Sequence, residues 1–208
     1  MENELLIILD LGANDGCSIL KFKDLIKKEK IDNYKIYSFE PNPFFEEKLK
    51  NATKNDKNVI FLNKIIGTKN DKTKLFLSQK GNDGSSIYSD KKTRNINKNV
   101  FVICEEVDIV EFINNLPEHN KLWIKMDIEG AEYNIIPHMY KHNCIDKMDR
   151  LFIEWHFKKI PSITKDFHES TVKLVNNIKC DYWGAEDYRD MTNAYHHEYQ
   201  MFLKKIKN

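Results

Sequence analysis

Ile7-Ile8-Leu9-Asp10-Leu11-Gly12-Ala13-Asn14-Asp15-Gly16 is the stretch on which the fold turns. An apolar run of strand length meets a turn with two glycines, and Ile19, Phe22 and Ile26 follow at three- and four-residue spacing. That spacing puts an apolar stripe on one helix face, so the segment reads strand, tight turn, helix. Gly12 and Gly16 allow positive φ and let a ligand lie against backbone N–H groups at the helix start. An ordinary βα turn is the bland alternative. The dinucleotide fingerprint wants G-x-G-x-x-G, whereas this chain has G-x-x-x-G with Asn14 at the middle glycine. Asp10 at the strand end would repel a pyrophosphate. It suits a ligand that bears an amine or a cation, and S-adenosylmethionine bears both.

Outward from this stretch, residues 5–11, 35–39, 59–66, 122–128 and 151–157 are apolar runs of strand length. Helical patterns lie between them, over 43–49, 107–116 and 166–178. The last two each carry an Asp followed three residues later by Glu (Asp108/Glu111, Asp166/Glu169), which predicts an aspartate cap. Such alternation predicts a parallel sheet covered by helices on both faces. Residues 73–90 break the rhythm and read as a strand, a polar loop and a return. No linker or repeat interrupts the chain, so residues 1–208 are read as one α/β domain.

Composition narrows the partners. With 41% hydrophobic and 31% charged residues, the chain can build a core beneath a charged surface. Lys and Arg number 33 against 32 Asp and Glu, a net charge of +1, and only three of the basic residues are arginines. A nucleic-acid binder carries a clearer basic excess, so nucleic acid is not the expected partner. The four cysteines form no C-x-x-C pair, and no window approaches a membrane span of about 20 apolar residues. The first residues lack the basic region and longer apolar run of a signal peptide, which predicts a cytoplasmic location. The oligomeric state is left open.

The second strand ends Phe39-Glu40-Pro41-Asn42-Pro43, which sets Glu40 where a carboxylate can accept hydrogen bonds from a ribose diol. Further on, Lys125, Asp127 and Glu129 interrupt an apolar run, as do Glu154 and His156. Period two would direct each set to one side at the carboxyl end of its strand. A structural ion-pair network, with Lys125 neutralising Asp127, is the bland reading. An alkyl hydroxyl is a weak nucleophile, so its methylation calls for a base or a metal. Asp127 and His156 are the base candidates. A divalent metal on Asp127, Glu154 and His156 is possible, but without a spaced ligand motif it is not the preferred reading.

The stretches DLGANDG (10–16), FEPNP (39–43), GSS (84–86), EVDIVEFI (106–113), IKMDIEGAEYNII (124–136) and FIEWHF (152–157) together resemble the FkbM family of S-adenosylmethionine-dependent methyltransferases. The resemblance implies the class I, Rossmann-like fold: about seven mostly parallel strands with an antiparallel last one, expected at 199–203. It also implies an S-adenosyl-L-methionine site with Asp10, Gly12, Asn14 and Gly16 in the loop and Glu40 on the ribose. Asn42 would contact the adenosine, and Ser86 or Ser85 would hydrogen-bond from a segment folded over the cofactor. Asp127, His156, Lys125, Glu129 and Glu154 form the expected catalytic cluster. Relatives of this kind methylate hydroxyls of sugars or natural products, so a small-molecule or glycan acceptor is expected. The alternatives are an RNA ribose 2′-O-methyltransferase and a non-catalytic binding module with the same fold. Tyr195, His196 and His197 are candidates for the substrate mouth.

Overall fold

The computed structural model describes residues 4–80, 83–183 and 196–207, with side chains of the last segment from 198 onward. In chain order the first half runs β1 (Leu6–Leu11), α1 (Cys17–Lys28), β2 (Tyr34–Phe39), α2 (Glu46–Thr53), β3 (Val59–Leu62), β4 (Ile65–Gly67) and β5 (Asp71–Phe76). The second half runs β6 (Phe101–Asp108), α3 (Ile109–Asn114), β7 (Lys121–Met126), α4 (Glu132–Lys141), β8 (Arg150–Ile153), α5 (Lys165–Lys173), β9 (Lys179–Tyr182) and α6 (His196–Lys207).

Every residue of β1 is buried. A strand covered on both faces belongs at the centre of a parallel sheet, and β1 sits there. The main sheet has the order β3-β2-β1-β7-β8-β9 with every pairing parallel. Strand order reverses at β1, the switch point beyond which α/β sheets open a crevice for ligands. On one face, Ile19, Phe22 and Ile26 of α1 pack with Phe45 and Leu49. On the other, α3 and α4 bury Ile109, Ile113, Ile135, Ile136 and Met139 against β1 and β7. A three-stranded sheet, β4-β6-β5, stands beside the main one.

Four expectations are corrected by the structure. The run 59–66 is two strands in two sheets. At the break Asn63 donates from Nδ2 to the Glu40 carbonyl oxygen (2.8 Å) and turns the chain away from β2. Asp108 caps α3 as expected, accepting from the N–H groups of Val110 and Glu111, but α5 is capped by Thr164, two residues ahead of the expected Asp166. Residues 199–203 form no antiparallel strand: they lie in α6, where Tyr199 and Leu203, four apart, are buried against the small sheet. Among the described residues the main sheet has six strands, and the return from β5 is a single bridge, Phe76 to Ser86.

Candidate active site

A cavity of about 650 Å³ opens beyond the carboxyl ends of β1, β2, β7 and β8. Gly12, Asn14, Glu40, Asn42, Asp127, Glu129 and Glu154 line it from the main sheet, and Leu75, Gly84, Ser85 and Arg94 face them from the small-sheet side. The volume lies in the range of sites for drug-sized ligands.

The loop after β1 is held by its neighbours. Gly12 has φ +83°, and a Cβ there would run into the backbone carbonyl of Asp127. The glycine is thus demanded by the close passage of the chain beyond β7. Gly16 has φ +92° and starts α1, with Leu49 beside it; it is not among the lining residues. Asn14, at φ 51°, donates its backbone N–H to Glu40 Oε2 (2.8 Å), and the Asn42 N–H donates to Oε1 (2.8 Å). The Glu40 carboxylate is therefore oriented by two backbone donors, each oxygen keeping a lone pair for a further donor. Burial pushes Glu40 up to about 7 against the pull of those two N–H groups and of Lys125, with Asp10 adding to the rise. Asn42 spends its own Oδ1 on the Phe44 N–H, capping a short turn.

Two expected contacts lie behind this wall. Asp10 is fully buried and accepts from Ser18 Oγ (2.6 Å) and Ser38 Oγ (2.7 Å). Lys125, also buried, donates to the Gly12 carbonyl oxygen and stands 3.5 Å from Asp10 Oδ1 and 3.9 Å from Asp127 Oδ2. These two side chains brace the loop from below. Ser86 is likewise structural, donating to the Glu129 carbonyl oxygen (2.6 Å), while its neighbour Ser85 lines the cavity.

Strand periodicity does not assemble the acidic floor. β7 stops at Met126 and β8 at Ile153, so Asp127, Glu129, Glu154 and His156 sit on the loops beyond. Glu129 adopts φ 53°, which turns its side chain back toward the cavity. The structure nevertheless gathers all four around one point. His156 Nε2 lies 3.4 Å from Glu129 Oε2, 3.5 Å from Glu154 Oε1 and 3.7 Å from Asp127 Oδ1. On its far side, Glu132 Oε1 accepts from both the His156 backbone N–H (2.9 Å) and Nδ1 (3.0 Å). Burial opposes charge on His156, but Glu132, Glu129 and Asp127 outweigh it and push the imidazole up to about 9. Burial also lifts Asp127 to about 6 despite Lys125 and His156. For Glu129, burial is overcome by His156, Lys91 and Lys159, which hold it below the usual carboxylate range.

Three members escaped the sequence reading. Glu132 stands in the first turn of α4, and its bond to His156 is invisible until β8 is placed beside β7. Lys91, with no exposed side chain, bonds the Gly84 carbonyl oxygen (2.6 Å) and Glu129 (2.6 Å), and Lys159 holds Glu154 (2.9 Å). Neither lysine stands in any pattern that could have marked it. Tyr195 and the side chains of His196 and His197 lie outside the described residues. Among the described residues no helix is long and apolar enough to cross a membrane.

A parallel sheet with a cavity at its switch point, walled by a glycine turn and a strand-end carboxylate, defines a Rossmann-like architecture. The methyltransferase FkbM domain model matches residues 10–183, and the chain belongs to this family of methyltransferases. Among solved structures, methyltransferase FkbM from Methylobacillus flagellatus KT is similar at 17% identity and a TM-score of 0.40. That match covers 67% of this chain, which spans only 29% of the other protein's length. No curated protein matches.

Proposed function

We propose that the chain transfers the methyl group of S-adenosyl-L-methionine to a hydroxyl of a sugar or glycan. The observation that carries this reading is one cavity that joins the Gly12–Asn14 turn and the oriented Glu40 carboxylate to an acidic floor at Asp127. S-adenosylmethionine supplies an electrophilic methyl carbon on a sulfonium. Glu40 accepts from the ribose diol with its remaining lone pairs, and the turn at Gly12 and Asn14 gives close backbone approach. Ile65, Ile66 and Phe45 offer apolar surface to the adenine. Negative charge on Asp127, Glu129 and Glu154 favours a cationic sulfonium over a phosphate.

Asp127 takes the acceptor's proton. Its side chain is 30% exposed and lines the cavity, and a carboxyl at about 6 is matched to neutral pH. His156 has no exposed side-chain surface and is not among the residues lining the cavity, so it does not serve as the base. Lys125 is committed to the Gly12 carbonyl oxygen and is not free to bind an RNA ribose hydroxyl, which argues against the RNA alternative.

Incubation with methyl-labelled S-adenosylmethionine and a panel of saccharides, beside an RNA oligonucleotide, tests the assignment. Label in an alkali-stable saccharide ether is expected. Label in the RNA, or cofactor binding without transfer to any hydroxyl, would overturn it. Asp127→Asn should lower kcat roughly 10²–10⁴-fold with little change in cofactor affinity.

A further inference from the structure

We infer that Asp127, Glu129 and His156, with Glu154 as nearest fourth donor, form a binding site for one divalent transition-metal ion of the Mn²⁺ type. The His156 side chain is fully buried, and its Nε2 has no hydrogen-bond partner among the described residues. It points at three carboxylates, none of them at ordinary hydrogen-bond distance. A lone proton on Nε2 would draw one carboxylate to about 2.8 Å, as charge-assisted bonds do. Instead three oxygens stand at 3.4, 3.5 and 3.7 Å from the nitrogen, two of them also paired with Lys91 and Lys159. Donors about 2.1 Å from a common ion stand roughly 3.0–3.4 Å apart in octahedral or tetrahedral arrangements, close to these spacings. The donor atoms of Asp127, Glu129 and His156 all lie within 4.8 Å of one another.

The surroundings fit the same occupant. Glu132 fixes the His156 ring through Nδ1 and the backbone N–H, the carboxylate–histidine pairing that orients imidazole ligands and raises their basicity. Charge also fits. Five linked carboxylates (Asp10, Asp127, Glu129, Glu132 and Glu154) meet three lysines (Lys91, Lys125 and Lys159). The carboxylates outnumber the lysines, an excess of negative charge that a bound divalent cation would offset. Mixed carboxylate and imidazole donors suit Mn²⁺ or its transition-metal neighbours better than Mg²⁺ or Ca²⁺, which take oxygen. The carboxylate ligands line the cavity, so an ion has an entry path and open positions toward a bound hydroxyl. Any service to catalysis rests on the methyl-transfer reading, with the ion on Asp127 Oδ1 leaving Oδ2 to take the acceptor's proton; the binding itself does not rest on it.

The test is a titration of the purified chain with Mn²⁺, without cofactor or acceptor, read by loss of the free ion's electron-paramagnetic-resonance signal. One saturable site per chain is expected. Asp127→Asn and Glu129→Gln should each weaken it about tenfold or more, while Glu118→Gln, on the exposed surface, leaves it unchanged. No saturable uptake by the parent chain, or uptake that both site variants retain, overturns the proposal. If the variants unfold by circular dichroism, nitrogen modulation in the pulsed spectrum of Mn²⁺ bound to the parent decides. Coupling to imidazole nitrogen supports the site, and its absence overturns it. Since no S-adenosylmethionine is in the titration, failure here is distinct from failure of methyl transfer.

Discussion

At the scale of single residues, Glu40 combines burial with an orienting pair of backbone donors. Its carboxyl, ordinarily near 4.5, is raised by burial to about 7 in the folded chain. A raised acid holds its proton more tightly folded than unfolded, so folding is favoured at low pH. That contribution is full below about 4.5 and is lost as pH rises through about 7. Ribose hydroxyls donate best to the ionised carboxylate, so cofactor affinity should move the opposite way. Calorimetry from pH 6 to pH 8 should show S-adenosylmethionine binding tightening, and Glu40→Gln should flatten the trend. A slope that survives in Glu40→Gln would assign the titration to another group. Gly12 gives a second residue-scale expectation. With φ +83° and the Asp127 carbonyl beside it, Gly12→Ala should destabilise the fold by roughly 2 kcal/mol or more in denaturant titration, from left-handed strain plus displacement of the chain beyond β7. An unchanged midpoint would mean that the loop can move aside.

At the scale of elements, the β1–turn–α1 unit was legible because its residues state both periods: six successive buried positions, then Ile19, Phe22 and Ile26 on one face. The acidic floor was legible only in part. Its members were named from polar residues interrupting apolar runs, but strand alternation is not what unites them. The left-handed turn at Glu129 and the loop after Ile153 do so, and neither leaves a two-residue signature. At residues 199–203 the family resemblance alone implied a strand, and five mostly apolar residues are too short to separate a strand from a buried helix turn. The deciding positions, Leu203 and Ile206, extend the three- and four-residue spacing of Tyr199 and Phe202. Tyr199 also donates its hydroxyl to the Ser78 carbonyl oxygen (3.1 Å), tying α6 to the chain after β5. Leu203→Ala should therefore cost about 2–5 kcal/mol of stability in chemical denaturation, as buried leucine truncations do. A change below about 0.5 kcal/mol, the usual surface value, would show that α6 does not seal the small sheet.

At the scale of the molecule, the cavity lies between two sheets that do not share a hydrogen-bonded edge. The main sheet brings the glycine turn, Glu40 and the acidic floor. The small-sheet side brings Leu75, Gly84, Ser85 and Arg94. Two of the contacts that join the sides pass through the floor itself: Lys91 reaches Glu129, and Ser86 reaches the Glu129 carbonyl oxygen. A ligand that fills the cavity must then stabilise both sides together. At a concentration about a hundred times Kd, one ligand adds roughly 2.7 kcal/mol. For a chain of this size that raises Tm by about 5–10 °C. Amide hydrogen exchange with S-adenosylmethionine should accordingly slow in two separate stretches, residues 10–16 and residues 75–95. Glu40→Gln should reduce protection in both, although only the first touches Glu40. If protection stays confined to residues 10–16 and 39–42, the small-sheet side is not a wall of the cofactor site and serves the acceptor instead. Protection of 75–95 would then appear only when a saccharide is added, and the same exchange experiment with both ligands reads that directly.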